Sequence, residues 1–449
     1  MSDFINRRDF LKISGAAVVG GATVVAGSAT AAGSGAETAG SIGFKAALPK
    51  AKGPRLVVVG GGTSGLTIAK YAKKEYPKFD VVLVEKRDMY SSCFSSNLWY
   101  AGLINLEFLA DHSFLDAARN NHYTYFNATV TGLDRAGRKL VTSEGEIDYD
   151  FLVLAPGISY DYGRIGVKDP ETINALRTDY PAGFLSPTEH VTIRRKVQEF
   201  EGGVFVQYAP SGNYRCLPAP YERACMVASH IKKNKIKGKV LVLDANPDIT
   251  IKKDGFHAAF DELYKGIIEY KSGSAITGVD LEKKLLKTEF DNYRFDDAAI
   301  YPGVRASTLI ERLGLADLKT PQKEANIDVL KYNVVGDERV YVAGDSRPHP
   351  YSKSANTANT EGKYVAKVLA ARAQGKDIKW YSPRTVCYSM VNASPAEAIS
   401  VDAGYVLNAA GNAIAGFSPD TKLFEKRDAA RGKSTLEWAR GLYRDMFEA

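Results

Sequence analysis

The sequence predicts an α/β fold with two Rossmann-like dinucleotide-binding domains, the second without a nucleotide fingerprint, and a C-terminal α+β region. Two strand–helix–strand patterns and a late strand that ends in Gly-Asp support this prediction. We expect the first domain at 55–160 and 301–374, the second at 161–300 and the C-terminal region at 375–449. A chain of 449 residues is long enough to form several full cores.

The first pattern begins with the apolar run 55–59, which enters a G-x-G-x-x-G turn at Gly60, Gly62 and Gly65. An Ala- and Lys-rich helical segment follows, and the next strand ends in Glu85, 20 residues past the last glycine. Such glycines allow a tight turn and a close approach of the backbone to a pyrophosphate, while the acid accepts hydrogen bonds from ribose hydroxyls. The pattern therefore predicts a dinucleotide site.

A second nucleotide-related signal lies late in the chain, where the apolar run 339–343 enters Gly344-Asp345. In flavoproteins that bind two dinucleotides, such a Gly-Asp lies where the sugar chain and phosphate of FAD pass. Asp345 on its own could equally close a turn. Together with the early fingerprint it favours FAD over free NAD.

The second strand–helix–strand pattern occupies residues 203–243 and ends in Asp244. Its strand–helix turn carries Pro210, Pro218 and Pro220 and lacks the glycine fingerprint. Because proline lacks a backbone donor and has a fixed φ, this turn cannot wrap a pyrophosphate in the usual way. We therefore predict that the second unit binds no NAD(P)H.

The N-terminal residues resemble a targeting segment. Arg7 and Arg8 lie in a twin-arginine pattern, a weakly hydrophobic run follows, and residues 29–31 offer an A-x-A cleavage site. We expect a signal peptide at 1–32, a flexible lead-in at 33–54, export of the folded protein to the periplasm and no membrane span after signal removal. An uncleaved anchor is the alternative.

Composition excludes several classes of protein. The formal net charge is +7, yet there is no basic-aromatic stripe, so we expect no nucleic-acid binding. The six histidines have no metal-ligand spacing among themselves or with the cysteines, so no metal site is predicted. None of the four cysteines lies in C-x-x-C-H, which excludes a covalent c-type haem on this chain.

The cysteine segments carry a specific resemblance. Residues 214–224, YRCLPAPYERA, resemble the R-C-P-P-G-P-Y-E-R-A segment of the flavoprotein subunit of flavocytochrome c sulfide dehydrogenase, in the pyridine nucleotide-disulfide oxidoreductase-like superfamily. The segment around Cys387 is similar to that family's T-C-Y-S, the loop around Cys93 to T-C-Y-L-S-N, and residues 354–363 to S-G-Y-S-A-N-S-Q-G-K. The resemblance runs from residue 55 to the region of Trp438.

The resemblance implies a role for each of these residues. Cys216 and Cys387 would form a redox-active disulfide beside the flavin, and Glu222 would handle protons. Cys93 would carry FAD as a thioether, and Trp438 would flank the flavin. The alternatives are a structural disulfide for the cysteine pair and an ordinary first-turn glutamate for Glu222. Cys93 would otherwise be a free thiol or a partner for Cys225, and Trp438 a core tryptophan. Cys225 has no match and is predicted to be a buried, small apolar residue.

The function implied is that of a periplasmic, FAD-dependent sulfide dehydrogenase. It would oxidise hydrosulfide and pass electrons to a c-type cytochrome on a separate chain. Leu217, Ala219 and Val386 depart from the family pattern and leave a thiol or a polysulfide as alternative substrates. A sulfide:quinone oxidoreductase and a non-catalytic flavoprotein scaffold are the competing interpretations.

Overall fold

The computed structural model of the protein describes residues 43–348 and 350–449. The expected signal peptide and the first part of the lead-in lie outside these residues. The strands are β1 (Arg55–Val59), β2 (Asp80–Glu85), β3 (Met89–Tyr90), β4 (His112–Ser113), β5 (Thr124–Asn127), β6 (Val130–Asp134), β7 (Lys139–Thr142), β8 (Gly145–Asp148), β9 (Phe151–Leu154), β10 (Ile158–Tyr160), β11 (Gly202–Ala209), β12 (Lys237–Asp244), β13 (Ile268–Lys271), β14 (Ile276–Asp280), β15 (Leu285–Thr288), β16 (Asn292–Arg294), β17 (Asp297–Ala299), β18 (Val304–Ala306), β19 (Val340–Val342), β20 (Thr385–Ala393), β21 (Ala396–Ala403), β22 (Tyr405–Leu407), β23 (Ile414–Phe417) and β24 (Lys422–Asp428). The α-helices are α1 (Thr63–Glu75), α2 (Ser96–Tyr100), α3 (Glu107–Ala110), α4 (Phe114–Asn120), α5 (Pro170–Asp179), α6 (Pro187–Gln198), α7 (Ala219–Asn234), α8 (Lys253–Ala258), α9 (Thr308–Arg312), α10 (Ala355–Arg372) and α11 (Ala429–Phe447).

Five parallel strands form the first sheet, in the order β19-β9-β1-β2-β5. The strands at its centre are continuous apolar runs because helices cover the sheet, as is usual for parallel sheets. Helices α1 and α10 pack closely against each other. Strand β19 comes from the late part of the chain and pairs with β9, so one sheet combines segments that lie far apart in the sequence.

The second sheet, in the order β13-β12-β11-β17, is also parallel. Helix α7 connects β11 to β12 and packs on both strands, which is the geometry of a second βαβ unit. Cys225, on this helix, is 0% exposed and lies in the apolar core between the helix and the sheet. The prediction of a buried cysteine is confirmed.

The C-terminal region combines the antiparallel sheet β20-β21-β24 with the long helix α11. The apolar face of α11 is buried, and the helix contacts α1, α4 and β21. Its hydrophobic side chains therefore pack on the body of the protein, as its helical spacing indicates. Two Rossmann-like units and an α+β end confirm the predicted fold class.

Across residues 43–348 and 350–449, no helix combines the length and apolar character that crossing a bilayer requires. Within the same residues, no group of three or more metal-binding side chains comes together.

Candidate active site

The glycine turn after β1 has the shape that a dinucleotide requires. Gly60 has a φ of +100°, and a Cβ there would lie 2.4 Å from the Ala155 carbonyl oxygen. A Cβ on Gly65 would lie 1.9 Å from the Gly60 carbonyl oxygen, so only glycine allows the helix to approach the strand this closely. Gly62, at the start of α1, has no atom within 4 Å of its Cβ position and leaves the N-terminus of the helix open.

Glu85 ends β2 beside this turn. One carboxylate oxygen accepts a hydrogen bond from the Gly61 backbone N–H at 2.8 Å, and the other accepts one from the Arg87 Nε at 3.0 Å. Its position at the carboxyl end of the strand, next to the glycine turn, is the one a ribose-binding acid occupies.

A large cleft lies at the carboxyl ends of the first sheet's strands. It encloses about 1030 Å³ of space, its open mouth included. The predicted site residues that line it are Gly60, Gly62, Glu85, Cys93, Cys216, Gly344 and Asp345. Gly65 and Trp438 are not among its lining residues. The glycine cradle and the acid at the end of β2 fit FAD.

The late Gly-Asp forms one wall of the cleft. Gly344 has a φ of +69°, and a Cβ there would meet the Ser64 Cβ at 3.1 Å. The Asp345 carboxylate accepts a hydrogen bond from the Arg215 Nε at 2.6 Å. Sequence reasoning did not assign Arg215 a role, because its partner lies in another domain.

Helix α10 points its N-terminus at the same cleft. Ser354 caps the helix by accepting a hydrogen bond from the Thr357 N–H at 3.3 Å, and Ser354, Ala355 and Ala358 line the cleft. The positive end of the helix dipole would favour negative charge on a bound group.

Cys216 and Cys387 meet at a second, smaller pocket of about 370 Å³. Both side chains line it, and Cys216 lines the large cleft as well. The other lining residues are mostly apolar: Leu217, Pro218, Ile251, Ser352, Ser354, Thr385, Val401 and Phe417. Both cysteines are partly exposed free thiols in this structure. Two sulfurs that lie far apart in the sequence therefore share one pocket at the edge of the cleft.

Glu222 lies in the first turn of α7, close to both cysteines. Its carboxylate accepts hydrogen bonds from the Asn97 side chain and from the Met390 N–H, each at 2.7 Å. Burial raises its pKa above the ordinary value, and these two hydrogen bonds oppose the rise. A buried carboxyl of raised pKa beside two thiols is suited to proton transfer.

Lys252 is a site residue that sequence reasoning missed. Its ammonium donates hydrogen bonds to the Ser389 hydroxyl at 2.7 Å and to the Cys387 sulfur at 3.7 Å. Burial raises the pKa of the Cys387 thiol, and the lysine charge opposes that rise. Burial also raises the pKa of the Cys216 thiol well above its ordinary value.

Cys93 lies in the wall of the cleft, whereas Trp438 packs against a residue of that wall. Cys93 lines the cleft, and burial raises the pKa of its thiol. The Trp438 ring packs edge-on against Phe94, with 5.6 Å between the ring centroids, and Phe94 lines the cleft. Trp438 therefore contacts the wall of the cleft through Phe94 and is not a lining residue itself.

In the second βαβ unit, the acid at the end of β12 faces inward. Asp244 is 0% exposed, and its carboxylate accepts hydrogen bonds from the Tyr221 hydroxyl at 2.6 Å and the Tyr270 hydroxyl at 2.9 Å. The Asn246 backbone N–H also donates to it at 2.9 Å. The hydrogen-bond partners of this carboxylate are therefore residues of the protein itself.

Three family models match the chain, and together they cover more than half of it. Residues 54–178 match "Pyridine nucleotide-disulphide oxidoreductase". Residues 190–302 match "Sulfide dehydrogenase [flavocytochrome c] flavoprotein chain, central". Residues 381–447 match "Flavocytochrome c sulphide dehydrogenase, flavin-binding".

Individual relatives are more distant. A type II NADH:quinone oxidoreductase of Staphylococcus haemolyticus is 24% identical, over 74% of this chain and 87% of the relative. The mitochondrial sulfide:quinone oxidoreductase of Dictyostelium discoideum is 24% identical, over 72% of each chain. The solved structure of the sulfide:quinone oxidoreductase from Aquifex aeolicus shares the fold, with a TM-score of 0.71, 15% identity and coverage of 88% of this chain and 91% of that one.

The matched ranges include Glu85, Cys93, Cys216 and Cys387, whereas Gly344 and Asp345 lie outside them. FAD is the cofactor that the cleft and the flavin-binding match both indicate. The chain therefore belongs to the family of the flavoprotein chain of flavocytochrome c sulfide dehydrogenase, a family of flavin-dependent, sulfide-oxidising oxidoreductases.

Proposed function

We propose that this protein is a periplasmic, FAD-dependent sulfide dehydrogenase that oxidises hydrosulfide through a Cys216–Cys387 disulfide and passes electrons to a c-type cytochrome. The observation that carries this proposal is the position of Cys216. It lines both the dinucleotide cleft and the small pocket that it shares with Cys387. A disulfide at this position lies between a site for a small sulfur compound and the site for an electron acceptor.

The chemistry starts from the oxidised form of the cysteine pair. Hydrosulfide attacks one sulfur, so the Cys216–Cys387 bond breaks and a bond between the attacked cysteine and the substrate sulfur forms. The attacked cysteine becomes a persulfide, and the other leaves as a thiolate that keeps the electron pair of the broken bond. FAD, when bound, would supply the oxidant: it would accept two electrons as the persulfide sulfur and the thiolate form a new sulfur–sulfur bond.

The surrounding residues suit this sequence of steps. The mostly apolar wall of the small pocket limits water around the reacting sulfurs. Glu222, with its raised pKa, takes up the proton that hydrosulfide loses as its sulfur is oxidised. The N-terminus of α10 favours the negative charge that accumulates on a reduced cofactor in the cleft.

The location and the electron acceptor are supported by the sequence. The twin-arginine pattern at Arg7 and Arg8 favours export of a folded protein that has already acquired its cofactor. The family's printed name includes a cytochrome, and this chain has no C-x-x-C-H segment, so the cytochrome would be a separate chain.

A quinone is the second candidate acceptor. The sulfide:quinone oxidoreductases of Dictyostelium discoideum and Aquifex aeolicus resemble this chain over most of its length. Reduction of a soluble c-type cytochrome, compared with reduction of a short-chain quinone analogue under the same sulfide concentration, separates the two acceptors.

An anaerobic sulfide titration of the purified holoprotein tests the proposal. We expect sulfide to bleach the flavin absorbance of the wild type and of the matched control Cys225→Ala, whose residue is buried away from the cleft. We expect no rapid bleaching in Cys216→Ser or Cys387→Ser. A wild-type flavin that stays oxidised with excess sulfide would favour the scaffold interpretation.

A further inference from the structure

Lys252 is a buried cation whose described hydrogen-bond partners are all uncharged. Its side chain is 1% exposed, and its ammonium donates to the Ser389 hydroxyl, the Cys387 carbonyl and the Cys387 sulfur. A buried ammonium is stable only when an anion or a full set of hydrogen bonds replaces water. Three groups that can carry a negative charge interact with this ammonium: the Glu222 carboxylate, the Cys216 sulfur and the Cys387 sulfur. Of these, the Cys387 sulfur is the one that accepts a hydrogen bond from it, at 3.7 Å.

The backbone conformation at Lys252 is one that folding by itself would not favour. Its φ of 55° places a long side chain in the left-handed region, and the residue immediately precedes α8, where a positive charge opposes the helix dipole. Cys216, in the neighbouring loop, also has a left-handed φ, of 59°. A left-handed conformation at a non-glycine residue persists where the surrounding structure enforces it.

We propose that Lys252 holds the sulfur of Cys387 as a thiolate and so makes Cys387 the leaving group when hydrosulfide opens the Cys216–Cys387 disulfide. This inference rests on the proposed function. The bond between the two cysteine sulfurs breaks, a bond between hydrosulfide and the Cys216 sulfur forms, and the electron pair of the broken bond stays on Cys387. The persulfide therefore forms on Cys216, the cysteine that also lines the FAD cleft, and FAD would receive two electrons as the persulfide sulfur and the Cys387 thiolate bond to each other.

The charges that face Cys387 decide its protonation. Burial is the largest influence and raises the pKa of the thiol. Lys252 and the Ser389 hydroxyl lower it, whereas the Glu222 carboxylate raises it. The Cys216 thiol lies across the same pocket, and the Lys252 charge lowers its pKa as well, but without a hydrogen bond. Because a thiol of lower pKa leaves faster from a disulfide, the ammonium directs cleavage toward a Cys387 thiolate.

The test measures the protonation of Cys387 without sulfide. In a Cys216→Ser background, which prevents the disulfide, the rate of iodoacetamide alkylation at Cys387 is followed against pH by peptide mass spectrometry. Lys252→Met removes the charge, Lys252→Arg keeps it, and Lys253→Met is the matched control, because Lys253 is exposed and pairs with Asp248.

We expect the midpoint of the Cys387 profile to rise by about one pH unit or more in Lys252→Met, because an opposite charge at this distance shifts a pKa by about that amount. Lys252→Arg and Lys253→Met should keep the midpoint of the background. Ser389→Ala, which releases the ammonium from its 2.7 Å hydrogen bond, should shift the midpoint in the same direction by less. If neither Lys252→Met nor Ser389→Ala moves the midpoint, the inference is overturned.

A second readout separates this inference from the proposed function. In protein that retains Cys216, Lys252→Met should slow flavin bleaching by sulfide about tenfold or more, and trapped persulfide should be found on Cys216. Wild-type protein that bleaches while persulfide is trapped on Cys387 overturns the leaving-group order alone. Wild-type protein that does not bleach overturns the proposed function, and the role of Lys252 with it.

Discussion

Arg215 donates a hydrogen bond to the Asp345 carboxylate at 2.6 Å, and this contact joins two segments that are 130 residues apart. Arg215 immediately precedes Cys216, while Asp345 follows strand β19 of the first sheet. The same guanidinium donates to the Phe184 carbonyl at 2.7 Å. The loop that presents Cys216 is thereby fixed to the wall of the FAD cleft.

Removal of Arg215 should weaken both folding and cofactor retention. Arg215→Ala leaves a nearly buried Asp345 carboxylate without its partner, so we expect the free energy of unfolding to fall by about 3 kcal/mol. Urea denaturation of the holoprotein, followed by flavin absorbance, measures the loss. Lys45→Ala is the control, because the Lys45–Asp148 pair is exposed and should change stability by about 0.5 kcal/mol or less. An Arg215→Ala variant that is as stable as the wild type, with Asp345 unchanged, would contradict the prediction.

Cys93 should carry the flavin covalently. It lines the cleft beside Phe94, and the family resemblance assigns the thioether to this position. We expect the mass of denatured wild-type protein and of Cys225→Ala to include the flavin, and that of Cys93→Ser to lack it. A wild-type mass equal to that of the bare polypeptide removes Cys93 from this role.

The second βαβ unit should not bind NADH. The Asp244 carboxylate is buried and already accepts hydrogen bonds from Tyr221 and Tyr270, so no acceptor remains for a ribose hydroxyl. We expect no saturable heat when NADH is titrated into the holoprotein in a calorimeter. The type II NADH:quinone oxidoreductase of Staphylococcus haemolyticus serves as a positive control for the measurement. A saturable heat with this protein would show that the proline-rich turn accommodates the cofactor after all.

Glu222 should make stability depend on pH in a defined direction. Burial raises its folded-state pKa above the ordinary value of 4.5, so the folded protein holds this proton more tightly than the unfolded chain. Its contribution is most favourable below 4.5 and is lost as pH rises through the raised pKa. We therefore expect Glu222→Gln to lose less stability than the wild type as pH rises over this range.

Urea denaturation at a series of pH values measures this difference. The control is Glu437→Gln, which changes an exposed glutamate and should follow the wild-type pH profile. A Glu222→Gln profile parallel to that of the wild type would show that Glu222 titrates alike in the folded and unfolded chains.

Much of the fold could be predicted because its signals are local. Helix α1 lies between the glycine turn and β2, as the sequence predicts, because the glycine turn marks its start and the next apolar run marks the following strand. The small antiparallel sheet β6-β7-β8 has no comparably strong pattern and was not anticipated. Short strands of this kind depend on tertiary packing more than on propensity.

The site was only partly predictable because its partners come from distant segments. Motifs marked Cys216 and Cys387, yet nothing in the sequence indicates that Lys252 contacts the latter. Lys252 lies among ordinary loop residues. Its left-handed backbone conformation is not marked in the sequence by a glycine or an asparagine, and the lysine-rich stretch at 232–239 is a stronger signal. A contact between domains can be found only once the fold brings the segments together.

Strand β19 is translated long after β9, the strand with which it pairs, and this order has a consequence for folding during synthesis on the ribosome. Residues 155–339 must be translated before β19 can pair with β9 and before Asp345 can reach Arg215. A nascent chain that stops earlier has the glycine turn but lacks one edge strand and one wall of the cleft. We therefore expect cofactor loading only in polypeptides that extend past Asp345, and products terminated before that residue should be colourless.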